Sequence, residues 1–212
     1  MKKALSFSLI VLVLLACKNE VNMPSSFDYG SIENGVYENT FFKFKLPINP
    51  KWYVLDNEET DAVYKMGNDI VAGENESLKE NLIAADINLA KLVTAFREQP
   101  GTSYSFNPSL VINAENLKSA PLVKTTAQYI DLAKNLLNQS NMQLKYIDEK
   151  DKVKIGSQDF AFIQLENSFD GIVVTQDYYC TLKNGFVLLF IMSYIEDTGK
   201  AEVYNMFDNL KI

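Results

Sequence analysis

The segment from Gly171 to Tyr194 constrains this chain more than any other. Asn184-Gly185 separates two apolar runs, Gly171 to Leu182 and Phe186 to Tyr194. Asn-Gly suits both positive-φ positions of a type I′ turn, whose twist matches that of the strands it joins. Such a turn sets the register: Lys183 faces Phe186, Leu182 faces Val187, Cys180 faces Leu189 and Tyr178 faces Ile191. Alternate side chains of a strand point to opposite faces, and in the second run both sets are apolar. Val187, Leu189 and Ile191 form one, and Phe186, Leu188, Phe190 and Met192 the other. A strand apolar on both faces must be covered on both. The chain therefore needs an antiparallel sheet with a layer packed on each side.

The rest of the sequence supplies further strands and the helices to cover them. Phe42, Phe44 and Leu46 share one face at period two, with Lys43 and Lys45 on the other, the pattern of a half-buried strand. Trp52 to Leu55 reads as a second strand, Asp56 to Asp61 as an acidic connection and Ala62 to Met66 as a third strand. Ser77-Leu78-Lys79-Glu80 has the form of a capping box. It is followed by Leu78, Leu82, Ala85, Leu89, Leu92 and Phe96 at helical spacing, which predicts one helix up to Pro100-Gly101. Leu110-Val111-Ile112 is a short buried strand. A second capping box, Thr125 to Gln128, opens a helix carrying Tyr129, Leu132, Ala133, Leu136 and Leu137. Strands are then predicted over 144–147, 153–155 and 160–165, with turns at 148–152, 156–157 and 168–171. A last helix from about Thr198, capped by Asp197 or Thr198, carries Val203, Phe207 and Leu210. The fold class is α/β (α+β): an α/β/α sandwich with a central antiparallel sheet covered by helices on both faces.

The N-terminus reads as an address. Lys2 and Lys3 precede an apolar run from Ala4 to Ala16, interrupted by Ser6 and Ser8, which is the layout of a secretory signal. It is shorter than the roughly 18–20 apolar residues of a spanning helix. The run ends in Leu14-Leu15-Ala16-Cys17, which resembles the bacterial lipobox, in which the cysteine is diacylated and becomes the new N-terminus. The expected division is residues 1–16 as lipoprotein signal peptide, 17–35 as lipidated Cys17 and flexible tether, and 36–212 as the folded domain. Acyl chains on Cys17 would hold the domain to a membrane on the extracytoplasmic side of a bacterial cell envelope. Cleavage removes two lysines and no acid, so the formal charge falls from −7 to −9. A domain of that charge is repelled by anionic headgroups and is not a nucleic-acid binder acting through phosphate neutralisation.

The residues for most kinds of catalysis are missing. There is no histidine, which removes His-based triads and His metal ligands. No phosphate-binding, dinucleotide-binding, nucleophile-elbow or C-x-x-C motif occurs, and no cofactor or metal is expected. Cys180, without a partner once Cys17 is acylated, reads as a buried inert thiol. Carboxylate pairs could act without histidine, but Asp56, Glu58, Glu59 and Asp61, and Asp148, Glu149 and Asp151, fall in polar stretches that read as solvated loops. Tyr104 and Phe106, between Pro100 and Pro108, are the apolar residues hardest to place in a core, and are the candidates for a partner or ligand surface.

Three segments together resemble a known family: Tyr37 to Pro47 followed by Trp52, Ile112 to Leu117 leading into the Tyr129 helix, and Tyr178 to Gly185 with the final helix. They are similar to the PsbP-like superfamily, most nearly its bacterial DcrB-like lipoproteins, over residues 36 to 212. The resemblance implies an α/β/α sandwich, an accessory, assembly or binding role, and no catalytic residues. The reading is a non-enzymatic envelope lipoprotein that binds another envelope component. The alternative is a small-ligand-binding lipoprotein serving a transporter.

Overall fold

The computed structural model describes residues 23–102, 106–140, 142–169 and 171–212. Cys17 and the expected signal segment lie outside the described residues. The strands are β1 (Ser31–Glu33), β2 (Val36–Asn39), β3 (Phe44–Pro47), β4 (Tyr53–Val54), β5 (Leu89–Phe96), β6 (Ser109–Asn116), β7 (Gln143–Ile155), β8 (Gln158–Phe169), β9 (Ile172–Lys183) and β10 (Phe186–Tyr194). The helices are α1 (Asn57–Ala72), α2 (Glu76–Asp86), α3 (Thr126–Leu137) and α4 (Asp197–Phe207). Seven strands form one antiparallel sheet in the order β4-β5-β6-β10-β9-β8-β7, and β1-β2-β3 form a second.

β10 occupies the centre of the large sheet, as its two apolar faces require. Asn184 and Gly185 take φ of 54° and 83°, and Lys183 pairs with Phe186, Leu182 with Val187, Cys180 with Leu189 and Tyr178 with Ile191. Val187, Leu189 and Ile191 pack under α1, α2 and α3 with Val63, Tyr64, Ala85, Tyr129 and Ala133. Phe186, Leu188, Phe190 and Met192 pack on the opposite side with Val203, Met206 and Phe207 of α4 and with Tyr37, Phe44 and Leu46. Helices thus lie on both faces, and on the second face α4 shares the cover with the three-stranded sheet.

The capping box at Thr125 forms as expected, with Gln128 N donating to Thr125 Oγ1 and Thr125 N to Gln128 Oε1. Four local expectations are corrected. The helix expected from Ser77 to Phe96 is α2, capped by Asn75 rather than Ser77, followed by β5. The reason lies in a bulge between Lys91 and Val93. A bulge shifts the alternation by one residue, so Leu89 and Phe96 face one layer while Ala90, Val93 and Ala95 face the other. Spacings of three and seven arise in this strand and imitate helical period. The strand expected at 62–66 is part of α1, whose N-cap Asp56 accepts from Glu59 N while the Glu59 side chain accepts from Asp56 N. The turn expected at 148–152 is absorbed into β7, which bulges at Tyr146/Asp148 and Lys150/Val153 and continues. The last helix is preceded by Glu196, with no side-chain capping bond.

The fold begins before residue 36, within the segment expected to be a tether. Residues 31–33 form β1, joined to β2 by Asn34-Gly35 at φ of 52° and 76°. The ring of Phe27 lies 5.0 Å from Phe41 and 5.2 Å from Phe186. Asp28 and Asn39 fasten this segment: Asp28 accepts from Gly30 N, Thr40 N and Thr40 Oγ1, and Asn39 Nδ2 donates to Asp28 O.

Candidate functional site

An open groove runs across the outer face of β1-β2-β3. Its volume is about 800 Å³, and its lining includes Asp28, Ser31, Glu33, Glu38, Lys45 and Lys211. It exists because a three-stranded sheet buries one face and solvates the other: Tyr37, Phe44 and Leu46 point inward, and the side chains between them point out. The chain end completes the wall, since Lys45 N donates to Lys211 O and Lys211 N to Lys45 O, both at 2.9 Å. Glu38 pairs with Lys45 at 2.7 Å across β2 and β3. The Thr40 hydroxyl, then the backbone N–H groups of Thr40 and Gly30, hold the Asp28 carboxyl below the usual range. Beside this groove a second, of about 560 Å³, is lined by Thr40, Lys43, Phe44, Lys45 and Ile212. Carboxylates lie on the β1 and β2 side of the wall and ammonium groups on the side of β3 and Lys211, and it can hold an extended polar chain or a mixed-charge surface.

The densest polar cluster lies elsewhere, between α4 and the large sheet. Asp177 is 0% exposed. Its carboxylate accepts from Gln164 Nε2 at 2.7 Å, Tyr194 OH at 2.8 Å and Tyr204 OH at 2.7 Å. The two phenol groups are pushed up, by burial first; for Tyr194 the bond to Asp177 comes next, and for Tyr204 the bonds to Tyr179 and then Asp177. Lys200 lies over both rings, 5.6 and 5.7 Å from their centroids. These three donors come from β8, β10 and α4, so the cluster ties α4 to the sheet.

The side chains singled out from sequence are not brought together. Cys17 and Tyr104 lie outside the described residues. Phe106, expected at a surface, is 4% exposed. Its loop folds back on itself: Glu98 N donates to Asn107 Oδ1, Asn107 Nδ2 to Glu98 O and Arg97 N to Pro108 O. These bonds close the loop and carry Phe106 inward. Burial pushes the Cys180 thiol up to about 12, which leaves it protonated and unreactive at neutral pH. Asp56 and Glu59 serve the α1 cap, Asp61 pairs with Lys91 at 2.9 Å, Asp148 pairs with Lys150 at 2.8 Å, and Glu149 pairs with Lys134. Among the described residues no three acidic or cysteine side chains are grouped to hold a metal, and no helix is long and apolar enough to cross a membrane. The groove was not anticipated, because β1 fell within the expected tether. Asn34-Gly35, the same dipeptide that marks the β9–β10 turn, was the signal for it.

These features define an α+β domain with an antiparallel sheet covered on both faces and an open polar groove on the smaller sheet. No protein-family model matches the chain, and no curated protein matches it. Similar solved structures include cyanobacterial PsbP (CyanoP) from Synechocystis sp. PCC 6803, at 13% identity and a TM-score of 0.48 over 91% of this chain and 98% of that one. Another is LpqN, involved in cell envelope biogenesis of Mycobacterium tuberculosis, at 12% identity and a TM-score of 0.44 over 80% and 82%. A third, a protein of unknown function from Pseudomonas aeruginosa, has 12% identity and a TM-score of 0.43 over 59% and 81%. Likeness at these scores carries no argument about function.

Proposed function

We propose that the chain is a bacterial envelope lipoprotein of the DcrB-like kind, anchored through acyl chains on Cys17, whose folded domain is a non-enzymatic accessory module binding another envelope component. The groove across β1-β2-β3 is the observation that carries this reading. It is an open groove of about 800 Å³, and its walls offer paired charges and strand edges rather than an activated nucleophile. Asp28, in its lining, is eleven residues from Cys17, a span of at most roughly 40 Å. A groove so tethered meets the membrane-proximal part of its partner.

Photo-crosslinking tests this. A crosslinker placed at Glu33 or Asn209, both exposed at the groove, is expected to capture one discrete envelope protein in intact cells. The same group at Val173, 47% exposed on β9, is expected to capture none. Equal or absent capture from both places removes the groove as the binding site. Intact mass of the natively expressed chain tests the acylation of Cys17 separately.

A further inference from the structure

The large sheet has two ends of opposite character. One end carries the β9–β10 turn, the β7–β8 turn and the loop that leaves β6 after Asn116. Leu117 N donates to Gly185 O at 3.0 Å, and Asn184 Nδ2 donates to Phe41 O at 2.6 Å. The loop, the turn and the approach to β3 therefore share one surface. Leu122, in that loop, is 86% exposed, the most of any large apolar side chain described. Ile87, 51% exposed, precedes β5 at the same end, where Asn116 N donates to Asn88 O.

Lysines surround this apolar tip. Lys118 and Lys124 flank Leu122 in the loop, Lys183 adjoins the β9–β10 turn and Lys43 precedes β3. None of the four has a carboxylate within ion-pair distance among the described residues. Burial, and then the charge of Lys43, push the Lys183 ammonium below its usual range. The opposite end, where β5 and β10 finish, carries exposed Glu98, Glu196 and Asp197. The chain reaches the fold at the lysine end, since Phe27 packs on Phe41 and Phe186. Met23 is six positions beyond Cys17, about 20 Å when extended.

We propose that this end is a membrane-docking surface, with Leu122 entering the headgroup layer of an anionic phospholipid bilayer and Lys43, Lys118, Lys124 and Lys183 lying against it. The inference takes its tether from the lipid anchor proposed above, while the contacts belong to the folded domain. An exposed leucine among lysines suits an interface in which the apolar group is buried and the ammonium groups stay at headgroup level. The net charge of −9 does not oppose it, because an anionic surface acts only within a Debye length, about 8–10 Å. The nine residues of β10 span about 30 Å, which takes the acidic end out of range. The overall repulsion expected from composition is replaced by an orienting attraction.

The test uses the natively expressed full chain on vesicles of phosphatidylcholine, with and without phosphatidylglycerol, and reads each lysine by amine acylation and mass spectrometry. Lys43, Lys118, Lys124 and Lys183 are expected to be protected about fivefold or more on the anionic vesicles, Lys65 and Lys200 to be unchanged, and the protection to vanish at high salt. Leu122→Glu is expected to weaken it at unchanged thermal stability, since the side chain packs on little. Equal labelling on both vesicle types, or an unaltered footprint in Leu122→Glu, overturns the inference. Intact mass and flotation on neutral vesicles report the anchor independently. A chain that fails to float there but is footprinted on anionic vesicles lacks the anchor and keeps the docking surface.

Discussion

Replacing Asp177 with leucine removes the acceptor shared by Gln164, Tyr194 and Tyr204. Tyr194 is only 6% exposed and keeps only a 3.4 Å contact from Gln164 Nε2, so its O–H donor is left without an acceptor, at a cost of about 1–3 kcal/mol. Gln164 and Tyr204 are half-buried and can turn toward water, which reduces their share to about 0.5 kcal/mol each. The expected loss is about 3 kcal/mol, or roughly 6–12 °C in Tm for a chain of this size. The combined variant Asp177→Leu, Tyr194→Phe, Tyr204→Phe deletes the orphaned hydroxyls as well. Removing both sides of a buried bond is nearly neutral, so this variant is expected to recover to within about 1 kcal/mol of the native chain. Urea unfolding monitored by far-UV circular dichroism measures both, with an unchanged m-value required for the comparison. A loss below about 1 kcal/mol in the single variant, or a combined variant less stable than the single one, would refute the assignment of this cluster as the tie between α4 and the sheet.

Alkaline pH offers a second test. Burial pushes the Tyr37 phenol up to about 12, and pushes those of Tyr64, Tyr129 and Tyr178 well above their ordinary value. In the unfolded chain the same groups ionise near pH 10. Their full contribution is present below pH 10; above it the unfolded state has released protons that the native state keeps, so stability falls by about 1.4 kcal/mol per pH unit for each buried tyrosine. Beyond the share of the solvent-exposed tyrosines, phenolate absorbance and loss of the dichroism signal should rise together between pH 10 and about 12, and ionisation of all eleven tyrosines in a chain that stays folded would contradict this. Gly30→Ala probes the attachment of the N-terminal segment. At φ of 77° its new Cβ would lie 2.5 Å from Tyr37 Oη and 2.6 Å from Glu38 O, costing about 2 kcal/mol or releasing the segment. Amide exchange should then lose protection at Ser31–Glu33 while β10 keeps its own. Protection retained at both would mean that Gly30 tolerates a side chain.

The central hairpin and α3 were legible because their determinants are local. Asn184-Gly185 selects one turn, the turn sets the register, and alternation along β10 shows that both faces are covered. Thr125 and Gln128 form a cap from residues within one turn of each other. The same local signals were present at Asn34-Gly35 and at Asp56 to Glu59, where the surrounding composition suggested a tether and an acidic loop. Residues 89–96 are a different case. Their apolar spacing fits a helix as well as a bulged strand, and only hydrogen bonding to β6 decides between them. The loop around Phe106 is likewise decided by Asn107 bonding back to Glu98, and the groove by Lys211 returning to Lys45 across the length of the chain.

The sequence by itself determined the sheet's central hairpin and the need for two covering layers, because turn chemistry and side-chain alternation act between near neighbours. Only the tertiary structure decided that the last residues of the expected tether belong to the fold, that Phe106 is inside, and that an acidic chain gathers unpaired lysines and Leu122 at the end of the sheet where its N-terminal segment arrives. Those are outcomes of which distant backbone groups find each other, and a single strand or loop carries no record of its partner.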